Sequence, residues 1–336
     1  MKIVRTDREL QMPRTDAWLR DAGHELVLLP DGVGEAALAE ALAGAEILLM
    51  CYTPVTRRVI EAAPRLRGIV KYGVGIDAID IPAAMEHGVA VVNIPEYAEE
   101  TVAEGAFALM IALAKRLPAL GAEMAEQGWA WPEPQWLGRD IAGATVGIVG
   151  LGRIGRSMAR MAGAGFRARV IAYDPHVDAA AMHDAGAEKV ADLHALLAQS
   201  DYVTLHATLG AGTRQMIGAA EFAAMKPGAV LINVARGALV DEAALVAALD
   251  SGHLGGAGLD VFSAEPLALD GHPLSTLFGR PNVILTPHLT FYTHEAMDRL
   301  ERETMARCRE LIEGRPVTVT SQDPRLRAQG AGVVFA

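Results

Sequence analysis

Three short stretches in the last third of the chain carry residue types suited to moving a proton beside a carboxylate. "INVARGALVDE" holds Arg236, "GLDVFSAEPL" holds Asp260 and Glu265, and "NVILTPHLTFYTHEAM" holds His288. Reduction of a ketone leaves an alkoxide that must be protonated. An imidazolium can supply that proton, and the neutral ring can accept it in reverse. A carboxylate such as Glu265 against the far ring nitrogen would orient the imidazole and favour its charged form. A guanidinium such as Arg236 can grip a substrate carboxylate with two parallel hydrogen bonds and polarise the adjacent carbonyl, a geometry that lysine matches less well. Taken singly, each residue has an ordinary reading: a core histidine, a surface arginine, a solvated glutamate.

A hydride carrier makes the three coherent. In "TVGIVGLGRIGRSMARM" the glycines Gly150, Gly152 and Gly155 have G-x-G-x-x-G spacing, directly after the apolar run Val146–Val149 and at the start of an apparent helix. Such a turn lets the backbone approach a pyrophosphate, which then sits at the helix N-terminus. The expected acidic residue is Asp174, which ends "RVIAYD" nineteen residues after Gly155. Its carboxylate can accept from the adenosine ribose and would repel a 2′-phosphate, so the cofactor is expected to be NAD, not NADP.

Alternating strands and helices must position these groups. "KIVRT", "HELVLLP", "AEILLMC", "LRGIVKYG" and "VAVVNIP" read as five strands of one parallel sheet, with Ala-rich helices such as "EAALAEALAG" between most of them. A helical stretch over about 99–126 follows, interrupted at Pro118. "ATVGIVG", "ARVIAYDP", "DYVTLHAT", "GAVLINVA", "GAGLDVF" and "NVILTPH" then supply six strands of a second sheet. Arg236, Asp260, Glu265 and His288 all fall near the C-terminal ends of those strands, the edge at which open α/β sheets bind ligands. Between the two sets lies "QGWAWPEPQWLGRDIAG", an arm with three tryptophans that is too apolar for a simple linker and is expected to be covered, for instance by a second subunit. The segment after Thr320 reads as a mobile tail.

Bulk properties set outer limits. The chain has 336 residues, 51% hydrophobic and 21% charged, enough for two packed cores. A net charge of −11 argues against a broad nucleic-acid face. Cys51 and Cys308 are far apart and lack metal spacing. No apolar run is long enough for a membrane helix, and MKIVRTDREL lacks a signal-peptide core, so a cytoplasmic protein is expected, without membrane or nucleic-acid partners and without a metal site.

The chain resembles the D-isomer-specific 2-hydroxyacid dehydrogenase family. The matching stretches are "KYGVGIDAID", "TVAEGAFALMIAL", "VGIVGLGRIGR", "FAAMKPGAVLINVARGALVDEAALVAAL", "GAGLDVFSAEPL" and "NVILTPH", in family order from about residue 70 to 290. The resemblance implies an α/β fold of two doubly wound parallel-sheet domains, a Rossmann NAD-binding domain (99–287) inserted in a flavodoxin-like substrate domain (1–98 with 288–320), followed by the tail 321–336. The two crossing segments would act as a hinge over a cleft. It further implies that Arg236, Glu265 and His288 are catalytic, that Asp260 contacts the nicotinamide carboxamide, and that amides around Val74 and Gly75 hold the substrate carboxylate together with Arg236 and His288. Thr101, Arg153, Ile154 and the segment Val234, Ala235, Arg236 would lie against NAD, with His288 beside its nicotinamide. A homodimer through the cofactor domain is implied as well.

Three departures stand out: Ala78 where Asn is frequent, Ala207 where Pro is frequent, and Leu289 and Thr290 where small residues are common. The last pair, with Phe291 and Tyr292, bears on the substrate. The expected activity is reduction of a small 2-oxoacid, such as glyoxylate, hydroxypyruvate or a phosphoglycerate-like acid. The competing expectation is an NAD(H)-sensing corepressor-like binding protein on the same fold.

Overall fold

Apolar runs with no polar alternation mark strands buried on both faces, and here they build two parallel sheets. In the computed structural model, which describes residues 1–336, the chain divides into one unit of Met1–Ala98 with Thr293–Ala336 and a second of Glu99–Tyr292.

The first unit holds β1 (Lys2–Arg5), β2 (Glu25–Leu28), β3 (Ile47–Met50), β4 (Gly68–Lys71) and β5 (Ala90–Asn93), ordered β2-β1-β3-β4-β5 and all parallel. That is the flavodoxin-like order. β3, β4 and β5 are buried at every position.

The second unit holds β6 (Thr145–Val149), β7 (Arg169–Tyr173), β8 (Glu188–Lys189), β9 (Tyr202–Leu205), β10 (Val230–Asn233), β11 (Gly256–Leu259) and β12 (Val283–Leu285). Their order, β12-β11-β10-β9-β6-β7-β8, is parallel throughout and reverses between β6 and β9, the topological switch point of a Rossmann sheet. Val149, Ile171, Val203, Leu231 and Leu259 from five of these strands lie in one buried core. The expected six strands become seven. The addition, β8, is two residues long, too short to leave a pattern in the sequence.

Short polar side chains start the helices. Asp178, Asp192 and Asp241 each cap the N-terminus of the helix that follows, the last accepting from the amides of Ala243 and Ala244 at 3.1 Å. The 99–126 stretch is two helices, Glu99–Ala114 and Leu117–Gln127, bent by 58°. The break falls at Arg116, whose φ is 53°, and Pro118 sits in the first turn of the second helix, where its missing N–H costs nothing. No single helix is long and apolar enough to cross a membrane.

Two expectations about boundaries change. The second unit runs to Tyr292, so His288 belongs with the cofactor sheet and not with the returning segment from 288. The segment 321–336 has regular structure: a turn of helix at Pro324–Arg327, then β14 (Val333–Phe335), which pairs in parallel with β13 (Val317–Val319). Gln329, buried, exchanges two hydrogen bonds with the backbone of Val91, at 2.7 and 2.8 Å. A side chain satisfying both polar groups of an edge-strand residue explains why this tail is held rather than loose.

Candidate active site

Six strands of the second unit deliver their following loops to one sheet edge. β6 leads to Gly150, β7 to Asp174, β9 to His206, β10 to Arg236, β11 to Asp260 and Glu265, and β12 to His288.

His288 Nδ1 donates to Glu265 Oε2 at 2.8 Å. The other carboxylate oxygen, Oε1, accepts from the Phe262 amide at 2.9 Å, so Glu265 is aimed by its own loop. Burial tends to raise the Glu265 pKa. The imidazole's hydrogen bond and charge, the Phe262 amide and the Arg236 charge oppose it, and the net position lies below the usual carboxyl value. A proton on Nδ1 leaves Nε2 as the nitrogen that exchanges protons with a ligand. The two side chains are 27% and 31% exposed, accessible to a small molecule. The Phe291 ring meets the imidazole edge-on, with centroids 6.4 Å apart.

Arg236 stands on a loop tied at both ends. Asn233, buried at the end of β10, donates to the Arg236 carbonyl at 2.9 Å and accepts from the Ala235 amide at 3.0 Å. The guanidinium donates through Nη1 to the Ala235 carbonyl at 2.7 Å. Next in sequence is Gly237, where a Cβ would lie 1.9 Å from the Phe262 carbonyl carbon. Only glycine lets the Arg236 loop lie against the loop that carries Glu265. That second loop is held from the other side by Glu242, which accepts from the Ser263 amide at 2.7 Å and from its hydroxyl. His272 Nε2 lies 3.3 Å from the same carboxylate.

His288 itself has φ 56°, in the left-handed region. That conformation costs an L-residue roughly 1–2 kcal/mol, so its surroundings must impose it. Asp260, with no exposed surface, does so. Its Oδ1 accepts from Thr286 Oγ1 at 2.6 Å and from the Leu289 amide at 3.0 Å; its Oδ2 accepts from the Thr290 amide at 3.0 Å and from Thr290 Oγ1 at 2.6 Å. Hydrogen bonds to a charged group contribute roughly 1.5–3 kcal/mol each, which outweighs the backbone cost. Asp260 therefore has a structural role that its residue type alone did not suggest: four donors from its own chain let the side chain hold the His288 loop.

The glycine turn fits a dinucleotide. Gly150, at φ 91°, passes so close to the β9 loop that a Cβ would lie 2.6 Å from the Ala207 amide nitrogen, and a Cβ on Gly155 would lie 2.3 Å from the Gly150 carbonyl oxygen. At Gly152 a Cβ would meet nothing within 4 Å. The helix Arg153–Arg160 begins there with no side-chain cap. A helix N-terminus without a side-chain cap, beside open space, is what a pyrophosphate requires. Asp174 Oδ2 accepts from the Leu151 amide at 2.9 Å and its Oδ1 from the His176 amide at 2.9 Å, so it braces the glycine turn and keeps lone pairs for a ribose. Arg153 pairs with Glu99 at 3.1 Å. Thr101 and Val234 are buried; Ile154 and Ala235 are half-buried.

Val74 and Gly75 lie in the first unit, just past the end of β4. Asn93, at the end of β5, donates to the Val74 carbonyl at 2.6 Å and so fixes that loop, while its own Oδ1 is buried without a partner.

Reasoning from residue types missed Asn93, Asn233, Gly237, Glu242 and the second role of Asp260. The only available signals were an Asn closing each of two strands, in "VVNIP" and "LINVARG", and a glycine directly after Arg236.

Residues 107–290 match the family model of the D-isomer specific 2-hydroxyacid dehydrogenase NAD binding domain. The chain is 40% identical over 285 residues to the D-3-phosphoglycerate dehydrogenase of Mycobacterium bovis, covering 84% of this chain and 52% of that protein. It therefore spans about half the length of such relatives. Against the glyoxylate reductase of Thermococcus litoralis it is 38% identical over 296 residues, covering 86% and 87%. Among solved structures, the D-lactate dehydrogenase of Aquifex aeolicus complexed with NAD and lactic acid superposes with a TM-score of 0.82 at 30% identity, covering 93% of this chain and 96% of that one.

Proposed function

The chain belongs to the D-isomer specific 2-hydroxyacid dehydrogenase family, and from that premise we propose that it is an NAD-dependent 2-hydroxyacid dehydrogenase that reduces a small 2-oxoacid in at least one direction. The observation that carries this reading is the 2.8 Å His288–Glu265 hydrogen bond on the same sheet edge as the Arg236 loop and the glycine turn.

The residues then divide the work. The amides at the start of the Arg153–Arg160 helix hold the pyrophosphate, and Asp174 takes the ribose. When bound, the reduced nicotinamide supplies a hydride to the carbonyl carbon of the oxoacid. Arg236 binds the substrate carboxylate and, by its charge, draws electron density toward the carbonyl oxygen. His288 delivers the Nε2 proton to the forming alkoxide and regains it from the alcohol in the opposite direction. Glu265 keeps the ring oriented and stabilises its charged form through Nδ1.

The testing experiment follows the loss of NADH absorbance with a panel of 2-oxoacids that includes glyoxylate, hydroxypyruvate and 3-phosphohydroxypyruvate, repeated with NADPH. Turnover with one or more of them and NADH supports the reading. Tight NADH binding with no oxidation by any of them overturns it.

The tryptophan arm supports a second element of the reading, a homodimer. Trp129, Trp131 and Leu137 are 60%, 72% and 71% exposed, beside Leu117 and Met124 on the preceding helix. So much apolar surface in one arm is costly in water, and we propose that a second copy of the chain covers it.

A further inference from the structure

We propose that Thr290 is a positioning residue: through Asp260, and seated over Gly105, it holds His288 in the left-handed conformation from which the imidazole meets Glu265. The proposal rests on the reading of His288 as the acid–base group.

The loop from Thr286 to Thr290 is tied to β11 by one backbone bond, from the Thr286 amide to the Leu259 carbonyl at 2.9 Å. Beyond that point Asp260 supplies its main side-chain anchor. Thr290 alone supplies two of the four donors to Asp260, its amide and its hydroxyl, and both go to the same oxygen, Oδ2. The other oxygen is served by Thr286 and Leu289. Asp260 has no exposed surface, so water cannot replace a lost donor.

The other side of Thr290 is fixed by shape. A Cβ on Gly105, in the Glu99–Ala114 helix, would lie 2.6 Å from Thr290 Cβ and 2.8 Å from its Cγ2. The threonine methyl thus occupies the space a side chain at 105 would need. A β-branched residue has a stiff χ1, so a methyl held against the helix keeps the hydroxyl on Asp260. Two residues from His288, this arrangement transmits the position of a helix to a catalytic loop. The neighbouring Leu289 and Tyr292 are 46% and 47% exposed, and Leu289 reaches Asp260 through its backbone amide, not its side chain.

Three variants test the assignment: Thr290→Val, which keeps the shape and removes the hydroxyl; Thr290→Ser, which keeps the hydroxyl; and Gly105→Ala, which displaces Thr290 from a different element. For each, kcat and KM are measured with whichever 2-oxoacid turns over fastest, NADH affinity by fluorescence titration, and folding by thermal melting. Thr290→Val should lower kcat by about 10- to 100-fold, the scale on which small misplacement of a reacting group acts, with NADH affinity within about twofold of wild type. Thr290→Ser should recover most of the loss. Gly105→Ala should lower kcat in the same pattern.

Wild-type kcat in both Thr290→Val and Gly105→Ala would overturn the proposal. So would a loss that Thr290→Ser fails to recover, or one matched by an equal loss of NADH affinity. His288→Ala, run alongside, separates the two ideas. If it retains turnover, the acid–base reading falls; if it is inactive while Thr290→Val and Gly105→Ala are both normal, only the role of Thr290 falls.

Discussion

Glu265 divides its carboxylate between His288, at 2.8 Å from Oε2, and the Phe262 amide, at 2.9 Å from Oε1. The imidazole is therefore oriented by a group that its own backbone already holds still. A partner fixed in this way loses little entropy when it binds a reacting ring, which favours pre-organised catalysis.

Replacing His288 by Gln should remove the exchangeable proton while leaving the cofactor turn untouched. A fall in kcat of about 10²- to 10⁴-fold is expected, the usual contribution of a general acid, with NADH binding retained in a fluorescence titration. A variant that keeps near wild-type turnover would remove His288 from the chemistry.

Arg236→Lys keeps the charge and loses the planar fork. The expected result is a rise of about 10- to 100-fold in KM for the oxoacid, as for loss of one or two hydrogen bonds to a charged group. Steady-state kinetics at saturating NADH decide it, and unchanged KM and kcat would mean that Arg236 does not hold the carboxylate.

Asp174→Ala should weaken NADH binding and narrow the preference against NADPH. Because the side chain also accepts from the Leu151 amide at 2.9 Å, the variant should melt at lower temperature as well. A wild-type enzyme that already favours NADPH in the same assay would refute the role given to Asp174.

Acid should destabilise the fold in two stages. Burial pushes the His206 imidazole down to about 3 from its usual 6.5; Nε2 is bonded to Thr204 at 2.9 Å and Nδ1 is buried without a partner. The unfolded chain therefore binds this proton first, and stability drops as the pH falls from about 6.5 toward 3. Glu265 sits below its usual 4.5, so its contribution is present above that value and is lost as the pH falls through the lower, folded one. Melting temperatures measured from pH 7 to 4 should decline, and His206→Gln should flatten the part above pH 4.5. An identical slope in that variant would place the titration elsewhere.

Trp131→Glu puts a charge on the most exposed tryptophan of the arm, at 72%. If a second copy covers this surface, sedimentation should show a dimer for the wild type and a shift toward monomer for the variant. A monomeric wild type at assay concentrations would exclude the dimer.

Much of the framework was legible along the chain. Eleven of the twelve strands in the two large sheets coincide with apolar runs, because strands such as β3, β4, β5, β6, β9 and β10, buried at every position, must be largely apolar. The glycine spacing and the break before Pro118 follow from local backbone limits. Arg236, Glu265 and His288 could be named because each follows a strand at the same sheet edge. The two-residue β8 and the ordered segment 321–336 could not, since neither carries a periodicity that local reading detects.

Residue order along the chain dictates which groups stand at the carboxyl ends of the second sheet and what chemistry their types allow, because parallel strands with alternating helices leave only that edge for them. It did not say how those groups are held. Asp260 gripping residues 26 to 30 positions further on, Gly237 lying against Phe262, and Thr290 filling the space above Gly105 all join loops and helices from different parts of the chain. Such contacts exist only once neighbouring elements are packed side by side, and spacing along the chain carries no record of them.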